Sequence, residues 1–252
     1  KGKRGVKSKK EDAAKDIFIG NTKSDLLIFT TNGIMYKLPV YKIPETSRNA
    51  AGTPIINLVP IDKEDSVASV LSITSFAVDD VDLVFCSTKG LVKRTALIDY
   101  KNVRSNGLRA YNCAEGDQLL TVKMVHNESS LLVNTAFGKS IHFKGSDVRR
   151  VGRVARGVRG IKLQNGDSVA SVVEVTQENS NKRLLTITER GYGKRTELSE
   201  YRMQNRGGMG VIDIQTGERN GYIVGSLLVE EEDRIMLISE NGIIIKIFLC
   251  KI

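Results

Sequence analysis

Tryptophan is absent from the 252 residues, and histidine (His126, His142), cysteine (Cys86, Cys113, Cys250) and proline (Pro39, Pro44, Pro54, Pro60) are all scarce. No CxxC or HxxxH spacing occurs, so neither a zinc site nor a disulfide framework is expected. The cysteines read as free thiols in a reducing cytoplasm. No apolar run approaches the roughly 18 residues of a membrane span. The opening KGKRGVKSKK has no apolar stretch behind it and is no secretory leader; lacking an initial Met, it reads as the interior of a longer chain. Neither histidine stands in a nucleophile motif. Gly138-Lys139-Ser140 would need a glycine at 133 to be a phosphate-binding loop, and Val133 stands there. Gly207, Gly208 and Gly210 do not fit GxGxxG and follow no Rossmann strand. The acidic runs DKED (62–65), DDVD (79–82) and EEED (230–233) lack calcium-loop spacing and read as solvated loop charge. The expectation is a chain with no catalytic residue, no cofactor and no metal of its own.

What is present is a repeat of about fifty residues. An apolar, β-branched run broken by a tight glycine turn occurs at 26–38, 83–95, 131–143, 184–196 and 235–247. The turn glycines are read as Gly33, Gly90, Gly138, Gly193 and Gly242. Asn32-Gly33 and Asn241-Gly242 are strong hairpin signals, because a type I′ turn needs positive φ at both central residues. A second glycine (Gly52, Gly107, Gly157, Gly210) follows each of the first four hairpins, and a further apolar strand follows that. Each unit reads as about four strands, with no long amphipathic helix anywhere. The fold class is all-β, a propeller-like array of four-stranded blades.

Charge follows the same period. The hairpin-to-loop segments 33–53, 90–109, 139–162 and 193–210 hold 20 basic and 5 acidic residues. The segments between them, 54–89, 110–138, 163–192 and 211–241, hold 8 basic and 20 acidic residues. Equivalent positions of a blade array fall on one rim, so a periodic basic segment becomes a continuous basic band. Charge placed only for solubility would mix its signs. A curved cationic track, in a chain of net charge +9, suits a wrapped polyanion. Tyr41, Tyr100 and Tyr201 lie in basic segments but read as core residues, so duplex backbone binding fits better than base stacking. The third segment, with eight basic residues and one acid, should bind hardest.

The phrases YKLPVYKIPETSRNAAGTPIINLVP (36–60), GVRGIKL (157–163) and RGYGKRTELSEY (190–201) resemble the C-terminal domain of the DNA gyrase A subunit, in the gyrase and topoisomerase IV A-subunit family. The resemblance covers nearly the whole chain and implies a six-bladed β-pinwheel whose neighbouring blades exchange strands. It implies double-stranded DNA wrapped on the perimeter, and partnership with the rest of the gyrase A subunit, and with the gyrase B subunit, in an A2B2 heterotetramer. It also implies cytoplasmic location and ATP-driven negative supercoiling by that assembly. Residues 1–16 would lead in from the enzyme core, and 17–252 would form about four and a half blades. The family carries a box Q-[RK]-R-G-G-[RK]-G before its first blade. KGKRG opens where that box would end, and Gln204–Gly210 is a degenerate internal copy with Asn205 and Met209 at its basic positions.

The side chains expected on duplex phosphates are Lys3 and Arg4 at the start and Arg48 in the first segment. The second segment supplies Lys93, Arg94, Arg104 and Arg109, and the third Lys139, Arg149, Arg150, Arg153, Arg156 and Arg159. The fourth supplies Lys194, Arg195 and Arg206. Other readings are a topoisomerase IV domain, a propeller docking an acidic protein, and an RNA-binding β array.

Overall fold

The computed structural model describes residues 20–47, 50, 52–239 and 245–249, together with the backbone of 3–4 and 243–244. Asn241, Gly242, Arg48 and Cys250, singled out above, lie outside these residues. No α-helix occurs among them, and the strands follow the repeat. Lys3–Arg4 is β1. The first unit holds β2 (Asp25–Thr30), β3 (Ile34–Pro39) and β4 (Val67–Ile73). The second holds β5 (Val81–Ser87), β6 (Leu91–Ala96), β7 (Leu108–Arg109) and β8 (Leu119–His126). The third holds β9 (Ser130–Thr135), β10 (Lys139–Lys144), β11 (Val158–Arg159) and β12 (Val169–Val175). The fourth holds β13 (Arg183–Thr188), β14 (Gly193–Glu197), β15 (Val211–Ile212) and β16 (Ile223–Val229). The fifth holds β17 (Arg234–Ile238) and β18 (Ile243–Phe248).

The sheets do not coincide with the units. They are β4-β2-β3-β7, β8-β5-β6-β11, β12-β9-β10-β15, β16-β13-β14 and β17-β18-β1. The short strands β7, β11 and β15 each leave their own unit and pair with the hairpin of the preceding one. Lys3–Arg4, expected in a leading segment, takes the same slot on the fifth hairpin, Arg4 opposite Ile243 as Arg109 is opposite Ile34. At the other edge of the sheets β4 packs on β8, β8 on β12 and β12 on β16. These are the inner strands, so the exchanged ones mark the perimeter. The inner strand of each of the first four blades carries a register shift at the same level, beside Thr30, Ser87, Thr135 and Thr188, which increases the twist of the blade.

The two largest core clusters lie between blades, and a smaller one, with Leu26, Ile28 and Tyr36, covers the first blade alone. Leu27, Phe29 and Met35 of the first meet Leu83, Phe85, Tyr100 and Tyr111 of the second, with the Phe29 and Phe85 rings edge to face at 5.7 Å. Val84, Cys86 and Val125 meet Val133, Ile141 and Phe143 in the next junction. Tyr100 and Tyr201, at the ends of short 3-10 turns, are buried as expected, whereas Tyr41, also expected in the core, is exposed.

Three sequence-based expectations are corrected. In the fourth hairpin the left-handed glycine is Gly191 (φ 78°), whose N–H donates to Thr188 O as Gly90 does to Ser87 O. Gly193 opens β14 instead. Gly191 and Gly193 stand two residues apart, and strand register selects Gly191 over the Gly193 expected from sequence. Asp65 is no freely solvated loop charge: one of its oxygens accepts from Thr31 Oγ1 and from the backbone N–H of Asn32 and Ser66. Asp117 holds Thr88, Lys89 and Gln118 in the same way. Asp167 does so for Phe137 and Ser168. From the second acidic run, Asp82 is fully buried.

Candidate nucleic-acid interface

The second, third and fourth basic segments each run from an outer hairpin strand towards the exchanged strand of their own unit, which puts them on the perimeter. The loop 149–157 is held at several points. Val151 N–H donates to Arg94 O, Ala155 N–H to Gly152 O, and Asn112 Nδ2 to Val154 O at 2.9 Å. Arg104, Arg109, Arg149, Arg150, Arg156 and Arg159 are exposed; Lys139, Arg153, Lys194, Arg195 and Arg206 are half-buried. Among the described carboxylates none pairs with Arg104, Arg149, Arg153, Arg156 or Arg159. Lys3 and Arg4 enter only through their backbone pairing.

Two of the expected contacts face inward. Lys93 is 1% exposed. Its Nζ donates to Ala110 O (2.6 Å) and Arg153 O (2.7 Å) and lies 4.8 Å from the Phe85 ring centre and 5.6 Å from that of Tyr111. Burial, with the nearby Arg153 charge, pulls its pKa down to about 8. Arg94 is buried against Asp82 and also donates to Asn127 Oδ1 at 2.6 Å. Strand alternation explains both: consecutive residues of β6 point to opposite faces, and both faces are covered here.

Three others are exposed in part but committed to protein. Arg150 reaches the same Asp82 through Nη2 (2.8 Å) and Nε (3.0 Å), so two guanidinium groups share one buried carboxylate across a unit boundary. Lys194 lies 3.2 Å from Asp213, which also accepts from Tyr201 Oη (2.6 Å), Asn134 Nδ2 (2.8 Å) and Thr186 Oγ1 (2.7 Å). Arg206 donates to the carbonyls of Asp147 and Arg159. Around it Gly207 N–H donates to Gly160 O, and Gly208 O accepts from Lys162 N–H. The QNRGGMG run therefore splints the fourth unit to the third.

The structure also adds cations that were not singled out. Lys37 and Lys101 join Arg104, Arg109 and Arg153 around an open cleft of about 670 Å³ with no acidic residue in its lining. Lys144 and Arg202, with Asp147 beside them, flank a second, smaller depression. Their signal was in the segment-by-segment charge count, not in any motif.

A family model described as "DNA gyrase C-terminal domain, beta-propeller" matches residues 24–74, 82–126, 129–176 and 182–230, one match per blade. The DNA gyrase A subunit of Buchnera aphidicola (subsp. Baizongia pistaciae) is 37% identical over 98% of the chain and 29% of its own length. That of Escherichia coli K12 is 36% identical over 98% of the chain and 28% of its length. The chain thus spans less than a third of these relatives. A crystal structure of the C-terminal domain of DNA topoisomerase IV superposes with a TM-score of 0.80 at 29% identity, covering 92% of this chain and 71% of that one. A DNA gyrase A C-terminal domain superposes with a TM-score of 0.80 at 24% identity, covering 100% and 83%, which bears on the fold. With a β-propeller match repeated through four blades and gyrase A relatives aligned along nearly its whole length, the chain belongs to the DNA gyrase C-terminal domain family.

Proposed function

We propose that this chain binds duplex DNA without sequence preference and bends it around its perimeter, as the wrapping domain of a DNA gyrase A subunit in an A2B2 assembly that supercoils DNA negatively at the expense of ATP. One observation carries the reading: the unpaired cations sit in the loops that lead into the exchanged outer strands, so successive blades present them along one edge. Bending a short duplex by 40–90° costs roughly 1–6 kcal/mol, so no single cation suffices and contacts must recur from blade to blade. Neutralising phosphates releases counterions, which supplies affinity that does not depend on base sequence.

The test is to incubate the chain with relaxed circular DNA, relax again with a separate topoisomerase, strip the protein and read topoisomer sign. A constrained positive writhe supports the gyrase reading. Binding that leaves linking number unchanged favours a topoisomerase IV-like role, the family to which one of the superposed structures belongs. An equal preference for a polyacidic protein would favour a docking propeller instead.

A further inference from the structure

We propose that the cleft among Lys37, Lys101, Arg104, Arg109 and Arg153 is a seat for adjacent phosphates of a DNA duplex, and that buried Lys93 is the positioning residue that holds its far wall. This rests on the DNA-binding reading above and gives it a defined site. The five cations come from three successive units: Lys37 from the first, Lys101, Arg104 and Arg109 from the second, Arg153 from the third. Lys37 is only loosely tied, 3.8 Å from a partly exposed Asp25. Arg109 donates to Asn32 O, which leaves its other donors available. Adjacent phosphates repel each other, so a concave cluster without a carboxylate suits them better than a flat surface does.

Arg153 belongs to this wall because its backbone is fixed from beneath. Lys93 Nζ bonds Arg153 O and Ala110 O together, and Ala110 directly follows Arg109. One ammonium group thus fixes the spacing between two cation-bearing segments. An apolar residue at 93 would fill the space but leave both carbonyls without that donor. Asn112 supports the same loop from outside, through Val154 O.

The experiment measures duplex affinity of the full 252-residue chain against salt concentration. Each phosphate contact contributes about 0.9 to the slope of log K on log salt. The triple variant Lys101→Gln, Arg104→Gln, Arg109→Gln should lower the slope by about 2 to 3 and the affinity at 0.1 M salt on the order of 100-fold. Lys63→Gln, in an acidic segment, should do neither. Lys93→Met, which removes no surface charge, should lower the slope by about 1, as Arg153→Gln should, and add little when combined with Arg153→Gln. If Lys93→Met fails to unfold cooperatively, Asn112→Ala replaces it with the same expectation. A triple variant that keeps the wild-type slope while wild type binds DNA overturns the seat and leaves the wider reading standing. Wild type that fails to bind DNA, or that prefers duplex RNA or polyglutamate, overturns that wider reading. Additive losses from Lys93→Met and Arg153→Gln overturn the positioning role alone.

Discussion

Lys93 sets a balance between burial cost and two short hydrogen bonds. Its folded pKa of about 8 lies below the roughly 10.4 of an unfolded lysine. Below about pH 8 both states are protonated and the full cost of burying the charge is present. Between the two values the unfolded chain holds a proton that the folded chain lacks, so folding gains from rising pH. Relative to Lys93→Met, wild type should therefore gain up to about 3 kcal/mol between about pH 7.5 and 10, read from urea midpoints of both proteins at each pH. Cys86, whose thiol burial pushes up to about 12, acts in the opposite direction but equally in both. At Asp82 the buried carboxylate holds Arg94 and Arg150 together, so Asp82→Ala strands a buried guanidinium and should cost about 3 kcal/mol in chemical denaturation. These roles were only partly legible. KRTALIDY (93–100) and KRTELSEY (194–201) match in spacing, yet Lys93 meets the carbonyl of Ala110 where Lys194 meets the carboxylate of Asp213. What surrounds each lysine is set by residues after the exchanged strand, which no local window contains. The lysine and tyrosine seven positions apart in both copies were the available signal.

At the level of elements, the hairpins were readable because glycine and β-branched residues state their geometry locally. Gly33 shows why the turn residue is constrained: its φ is 81°, and a Cβ there would lie 2.2 Å from Tyr111 O. The exchanged strands were not readable, since two residues carry no periodicity; only Leu108-Arg109, Val158-Arg159 and Val211-Ile212, aligned behind their glycines, hinted at them. The turn aspartates were missed because acidic loop residues usually face water, whereas these accept two or three donors apiece. Asp117→Ala removes the acceptor for Thr88, Lys89 and Gln118 and should cost about 1–3 kcal/mol, measured by thermal or urea unfolding. The fourth blade lacks the device: Gly221 precedes its inner strand, and Glu189 N–H bonds Tyr222 O through backbone alone. Hydrogen exchange should accordingly be faster at the 188–192 turn than at 87–91.

Across the whole molecule, charge period places cations in the loops between the hairpins and the exchanged strands, but it does not tell which of them protein carboxylates and carbonyls already hold. The third segment has the most cations, but Arg150 is drawn to Asp82, and its Arg153 helps form the cleft with residues of the two preceding units. Affinity for random-sequence duplexes should fall by about 10³-fold or more between 50 and 200 mM salt if 6 or more phosphates are engaged, with little change on altering base composition; filter binding or fluorescence anisotropy reads both. The exchanged strands also have a mechanical meaning. In the second, third and fourth units, the loop that would grip the duplex runs into a strand laced to the neighbouring blade. Tension in a bent duplex would then be borne as shear along these ladders, spread over the hydrogen bonds of two blades at once, as in a lap joint. The harder the duplex strains to straighten, the more widely its recoil is shared around the disk.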